Sequence, residues 1–245
     1  MFFLGKHKPK LDDRTLQLAN YIGGLPVPPV TENWGKKVSS WSMYANDAIG
    51  DCTFAAAGHM IKCWSANAGK AITPTTKAIV AGYSALTGYN GTPATDRGAN
   101  ELDVMNFWRK TGIGGHQIGA YAQLTPKNVG HIRISTDLFG GVYIGLAMPK
   151  SAQTQSVWSV PTGGPVGSGA PGSWGGHAVN IIEYDAKYLT CVTWGATLKM
   201  TWGFWNTYCD EAYAILSTDW LQGKQMAPCG FDFTALQTDL GLVIS

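Results

Sequence analysis

The hydrophobic rhythm of the chain changes near residue 113, and this change constrains the fold more than any other feature. Before it, apolar or small residues recur at mixed spacings of three and four. Phe54, Ala55, Ala57, Gly58, Ile61 and Trp64 do so between Cys52 and Ala66, and Leu102, Met105, Phe107 and Trp108 between Asn100 and Thr111. A further helical region spans Thr75 to Leu86. Such spacing predicts helices with buried faces. After Ile113 the alternation becomes strand-like, over Gly141 to Met148, Ala178 to Tyr184, Tyr188 to Trp194 and Ala212 to Leu216. Helices followed by strands predict an α+β fold, with a helical lobe meeting a strand-rich lobe at a cleft. A short helix is expected at Asp12 to Tyr21, ended by the Pro-rich stretch Leu25 to Val30. Val160 to Gly176 is rich in Gly, Pro and Ser and reads as a long loop, either a surface loop or the flank of a site.

Hydrophobic residues make up 45% of the 245-residue chain and charged residues 14%, enough for a sizeable core and too apolar for disorder. Eighteen Lys and Arg against sixteen Asp and Glu leave a net charge of +2, with no basic block to track a phosphate backbone, so nucleic acid is not an expected partner. Lys6, Lys8 and Lys10 with His7 read as a solvated end. Met1 to Leu4 is too short for a signal-peptide core of about 7–15 residues, and no run approaches the roughly 20 that span a bilayer. A soluble, cytoplasmic protein without a membrane partner is the expectation. Five cysteines, at 52, 63, 191, 209 and 229, form an odd count without CxxC spacing, against both a zinc site and a complete disulfide framework. No metal or cofactor is expected.

A thiol attacks a carbonyl as the thiolate, so a catalytic cysteine needs a lowered pKa, commonly from a helix N-terminus and a nearby histidine. The run Asn46-Asp-Ala-Ile-Gly-Asp-Cys52 delivers Cys52 through a Gly-Asp turn to the start of an apolar helix. Unpaired amides there favour an anion and offer donors to a developing oxyanion. The other four cysteines read as small buried hydrophobes. Gly175-Gly176-His177 opens an apolar strand directly after the long loop, which makes His177 the candidate base. His59, His116 and His131 lack that setting and read as structural or surface residues.

In this order the chain resembles the papain-like cysteine peptidases. Glu32-Asn-Trp34-Gly is similar to the Asp-Trp-Arg segment that opens the mature domain of that family, and Asn46 stands where the family has its oxyanion-hole Gln. Thr193-Trp194-Gly195, Met200-Thr-Trp202-Gly203 and Asp210-Glu-Ala-Tyr213 are similar to its Asn-Ser-Trp-Gly, Trp-Gly and Gly-Tyr sequence. The Cys52-to-His177 separation falls a little short of the roughly 130–150 residues of papain relatives. The resemblance implies a two-lobed fold with an antiparallel sheet or barrel in the second lobe. It divides the chain into an N-terminal extension (1–32), a papain-like domain (33–220, helical lobe 33–112 and β lobe 113–220) and a C-terminal extension (221–245). Three departures are visible: the first half-cystine of Cys-Gly-Ser-Cys-Trp is absent, Asn46 replaces Gln, and no Asn fills the triad position. An ungapped count from His177 reaches Thr193, whereas anchoring on Trp194-Gly195 reaches Val192; Thr193 is preferred because a hydroxyl can orient an imidazole.

The leading expectation is a cysteine-dependent hydrolase of peptide or protein substrates. Cys52 attacks, His177 moves the proton, Asn46 and the Cys52 amide hold the oxyanion, and Thr193 orients His177. Trp194, Gly175 and Gly176 are the candidate substrate-binding residues, with Trp194 shielding His177 from water. The alternatives are a weakly active or inactive papain-like module within a larger assembly, and a cell-wall peptide amidase; acyl transfer would use the same residues.

Overall fold

Ala55, Ala56 and Ala57 supply strong helix formers just after Cys52, and the helix they start, α1 (Cys52–Asn67), is buried along its length except at Ala66. The computed structural model describes residues 3–23 and 26–221, so Cys229 and most of the expected C-terminal extension lie outside the described residues. Strand β1 (Glu32–Asn33) precedes α1, and α2 (Thr76–Thr87) and α3 (Glu101–Lys110) follow. Thr75 and Asn100 cap α2 and α3 by accepting from Ala78 and Leu102 amides.

The second half contains β2 (Ile118–Gln123), α4 (Val129–Phe139), β3 (Val142–Met148), β4 (Val157–Trp158), β5 (Gly175–Tyr184), β6 (Tyr188–Thr193), β7 (Ala196–Thr201), α5 (Trp202–Tyr208) and β8 (Cys209–Ser217). The strands form one sheet in the order β2-β8-β3-β5-β6-β7-β4, with β1 beside β5. The pairs are antiparallel except β4 with β7. The α+β segregation expected from the sequence is present, with α4 and α5 added to the strand-rich half.

Helix α1 packs on β5 and fixes the two halves together. Asn180 of β5 donates its amide to the Ala56 carbonyl at 2.5 Å, Tyr143 of β3 donates to the Thr53 carbonyl at 2.8 Å, and Trp64 donates to the Phe139 carbonyl at 2.8 Å. These are buried polar groups that need partners, so they set the helix position rather than merely tolerate it.

Two expectations are corrected. The helix expected over Asp12 to Tyr21 is a single 3-10 turn at Leu18–Asn20, because this stretch pairs with a strand end instead, Gln123 N–H donating to the Leu16 carbonyl at 2.7 Å. The lysine-rich end is not uniformly solvated: Lys8 and Lys10 are exposed, but the Lys6 side chain is fully buried.

Candidate active site

The sharp turn before α1 is held by Asp96, whose carboxylate accepts the Gly50 N–H at 2.9 and 3.1 Å and the Tyr83 hydroxyl at 2.5 Å. The same hydroxyl accepts the Gly98 N–H at 2.9 Å. One network therefore fixes the turn that carries Cys52 and the 98–100 strand-like edge opposite it. Cys52 is the first residue of α1. The backbone amides of Ala178, the residue that follows His177, and of Gly5 act on its thiol electrostatically.

His177 lies in β5 opposite Leu146 of β3. Its Nε2 is 2.7 Å from the Thr193 hydroxyl, and its Nδ1 has no hydrogen-bond partner among the described residues. Thr193, not Val192, is thus the residue that reaches the imidazole; Val192 packs with Cys63 and Ile182. Thr193 ends β6, and a two-residue turn of Trp194 (φ 45°) and Gly195 (φ 71°) leads into β7 with Thr193 paired to Ala196. Two positive φ values in succession suit a tight hairpin, but the first is unfavourable for a bulky residue. The compensating contact is a stack of the Trp194 ring on His177, with centroids 4.4 Å apart and planes within 13°. Trp158 closes another side of the imidazole edge-on at 6.5 Å. Trp194 thus faces the histidine from a nearly buried position, 8% exposed, rather than opening onto the cleft as a broad wall.

Asn46 is buried, and its amide donates to the carbonyls of Ile49 at 3.1 Å and Phe3 at 3.4 Å. The second of these carbonyls belongs to a segment the sequence did not place here. Residues 3–8 run between the two halves, bonded to both sides, with an isolated β-bridge of Lys6 to Ala99. Ala99 N–H donates to the Gly5 carbonyl at 2.8 Å, His7 N–H to the Ala99 carbonyl at 2.9 Å, and Lys6 N–H to the Gly176 carbonyl at 3.1 Å. The approach at Gly176 is so close that a Cβ there would lie 2.1 Å from the Lys6 carbonyl oxygen, which requires glycine. Gly175 packs against Leu4. Both glycines expected to bind substrate therefore contact the chain's own N-terminal segment. Beside it remains a cavity of about 760 Å³ lined by Ile49, Tyr89, Pro93, Arg97 and Trp174, among others.

Burial raises the Cys52 thiol to about 12, against the pull of the Ala178 and Gly5 amides, and Asp51 and Glu101 add to the rise. Burial, with His59 nearby, lowers His177 to about 3. Both shifts favour the uncharged forms, thiol and neutral imidazole. His59 is a core residue, its Nε2 2.6 Å from the Ser42 carbonyl; His116 pairs with Asp219 at 2.9 Å and His131 accepts from the Thr125 amide at 3.1 Å. None of these three approaches Cys52 through any of these contacts. Among the described residues no cluster of His, Cys, Asp or Glu is arranged to hold a metal ion, and no helix is long and apolar enough to cross a membrane.

No protein-family model matches the chain, and no curated protein matches it in sequence. Solved structures do match. Xylellain, a cysteine protease from Xylella fastidiosa, superposes with a TM-score of 0.67 at 14% identity, over 89% of this chain and 97% of that one. Procathepsin B S9 from Trypanosoma congolense gives 0.65 at 10%, over 89% and 87%. Digestive procathepsin L 3 from Tenebrio molitor larval midgut gives 0.62 at 10%, over 85% and 76%. The cysteine at a helix start, the histidine opening a strand and the hairpin behind it are set in a scaffold shared with these enzymes: the chain has the papain-like cysteine protease fold.

Proposed function

We propose that the chain is a cysteine-dependent hydrolase of peptide bonds, held in a covered state by its own N-terminal segment. The observation that carries this reading is the imidazole of His177, bonded through Nε2 to Thr193 and left with Nδ1 unpaired, next to the strand residue whose amide acts on the Cys52 thiol. In this reading Nδ1 accepts the thiol proton, the thiolate attacks the substrate carbonyl, and the protonated imidazole then donates to the leaving amine. A water molecule, deprotonated by the same nitrogen, releases the acyl group. In this reading the Cys52 N–H at the open end of α1 donates to the oxyanion, and the Asn46 amide joins it once its bond to the Phe3 carbonyl is released.

The covered state fits the protonation of the pair. A thiol at about 12 and an imidazole at about 3 do not exchange a proton readily, and burial is the main cause of both shifts. Withdrawing residues 3–8 would readmit water, lowering the first value and raising the second toward reactivity.

The test is hydrolysis of a fluorogenic peptide-amide library by full-length wild type, Lys6→Ala and Lys6→Ala/Cys52→Ala. Turnover by Lys6→Ala that vanishes in the double variant supports the reading. If Lys6→Ala alkylates rapidly at Cys52 yet hydrolyses nothing above the double variant, the fold serves as a binding module instead.

A further inference from the structure

Lys6 is the most deeply inserted side chain of the segment, and its surroundings look built for it. Its ammonium lies 2.9 and 3.0 Å from the two carboxylate oxygens of Asp210, 2.9 Å from Glu211 Oε1 and 3.0 Å from the His7 carbonyl. Glu101, at the first position of α3 and fully buried, interacts with the same group electrostatically, and neither of its carboxyl oxygens has a hydrogen-bond partner among the described residues. Three carboxyl groups from two distant parts of the chain thus face one cation.

Two backbone features make the arrangement possible. Neighbouring residues on a regular strand point to opposite faces, yet Asp210 and Glu211 both reach Lys6. The register between β3 and β8 shifts at this point: Gly145 pairs with Glu211 and Leu146 with Cys209, leaving Asp210 as the extra residue of a bulge, open to solvent on one side and with its carboxylate on the Lys6 ammonium. Opposite the bulge, Gly145 leaves room for the lysine stem, since a Cβ there would lie 1.9 Å from Lys6 Cε. The space beside Gly145 holds the unbranched lysine stem, and its ammonium meets the carboxyl groups.

We propose that Glu101, Asp210 and Glu211 around Gly145 form a recognition pocket for a lysine side chain of the substrate, and that Lys6 occupies it as an internal competitor. The proposal rests on the reading of this groove as the substrate cleft. Burial alone would lower the Lys6 ammonium, but Glu101, Glu211 and Asp210 outweigh it and hold it above its ordinary value; burial likewise raises the Glu101 and Glu211 carboxyls, against the pull of Lys6, so Lys6 is the cation that keeps this acidic cluster charged. A guanidinium is planar and wider than an ammonium, and the Asp210 and Glu211 carboxyl groups converge here on one compact ammonium. Substrates are therefore peptides or proteins that place lysine, rather than arginine or an apolar residue, in this pocket.

The test is binding, which separates the pocket from the chemistry. Full-length Lys6→Ala/Cys52→Ala is titrated calorimetrically with acetyl-Leu-Gly-Lys-His-amide and with the same peptide carrying norleucine or arginine in place of lysine. The lysine peptide is expected to bind at least tenfold more tightly than either, and Glu211→Gln or Gly145→Ala in that background is expected to remove the preference. Should the unpaired carboxyl groups prevent folding, Lys6→Ala/Glu101→Gln/Cys52→Ala carries one acid fewer while keeping Asp210 and Glu211, and n-butylammonium replaces the peptide, raising its melting temperature where n-butanol does not. Equal affinity for the lysine and norleucine peptides, or equal stabilisation by the two small molecules, overturns the proposal. Lysine-selective binding without turnover in the Cys52 protein would leave the pocket standing and remove the catalytic reading. Turnover without lysine preference would do the reverse.

Discussion

Replacing Thr193 by valine removes one hydroxyl from a site where nothing else can take its place. The Thr193 hydroxyl is 2.7 Å from His177 Nε2, and both residues are buried, His177 at 1% and Thr193 at 4% exposure. Valine has nearly the same shape, so the packing of the hairpin survives while the ring nitrogen loses its partner. A buried polar group left unsatisfied is penalised by about 1–3 kcal/mol. For a chain of this size each kcal/mol lowers the melting temperature by roughly 2–4 °C, giving an expected drop of about 2–12 °C. The same loss of orientation, if carried into the rate-limiting step, slows hydrolysis by roughly 5- to 150-fold. Differential scanning calorimetry reads the first effect, and nitrogen-15 shifts of the imidazole read the tautomer, which the wild type is expected to hold with the proton on Nε2. In the Lys6→Ala background kcat/KM reads the third. Thr193→Ser should retain most of the wild-type behaviour, and Thr193→Asn should preserve or raise the rate. A valine variant with unchanged melting temperature and unchanged ring nitrogen shifts would refute the assignment of Thr193 as the orienting residue.

Three further outcomes are expected. Burial raises the Asp51 carboxyl to about 8, so the folded state holds a proton there that the unfolded chain releases near pH 4; this stabilises the protonated fold and is lost as pH rises from about 4 to about 8. Asp51→Asn should flatten that fall, exceeding the wild type by a few kcal/mol, roughly 3–6, at pH 9 in urea titrations, and parallel pH profiles would contradict it. In native wild type, iodoacetamide should modify half-buried Cys209 before Cys52, Cys63 or Cys191, whereas Lys6→Ala should bring Cys52 forward; peptide mapping that finds Cys52 first in wild type would mean the groove is open. Trp194→Ala removes the ring stacked on His177 while keeping the strained turn, and it should raise the imidazole pKa from its buried value of about 3, as followed by proton NMR.

The candidate nucleophile and base were legible because each carries a local signature. A glycine-acid turn before an apolar helix and a histidine at the mouth of a strand are patterns within ten residues, and the Thr-Trp-Gly step marks the hairpin. Helix α4 was not legible, since Val129 to Thr136 is rich in β-branched residues that favour strands; its signals were the caps, Asn128 accepting from the His131 amide and Gly140 in the left-handed region. The Lys6 pocket was beyond reach for a different reason. A lysine among lysines near a chain end is ordinarily solvated, and only tertiary structure brings Glu101 and a bulge in β8 to it. Gly145 gave no warning either, because a glycine within a strand has no side chain to advertise the space it leaves.

The hairpin turn of Trp194 and Gly195 imposes a restriction on how this protein can diversify. With only two residues in the turn, an insertion or deletion would slide Thr193 out of register and pull the indole off the imidazole together. Orientation and dryness of His177 are thus inherited as one unit that tolerates substitution but not a change of length. The N-terminal segment and the β8 bulge have no such coupling to the imidazole. Changes of length are better accommodated there than in the hairpin, where they would separate Thr193 and Trp194 from the imidazole.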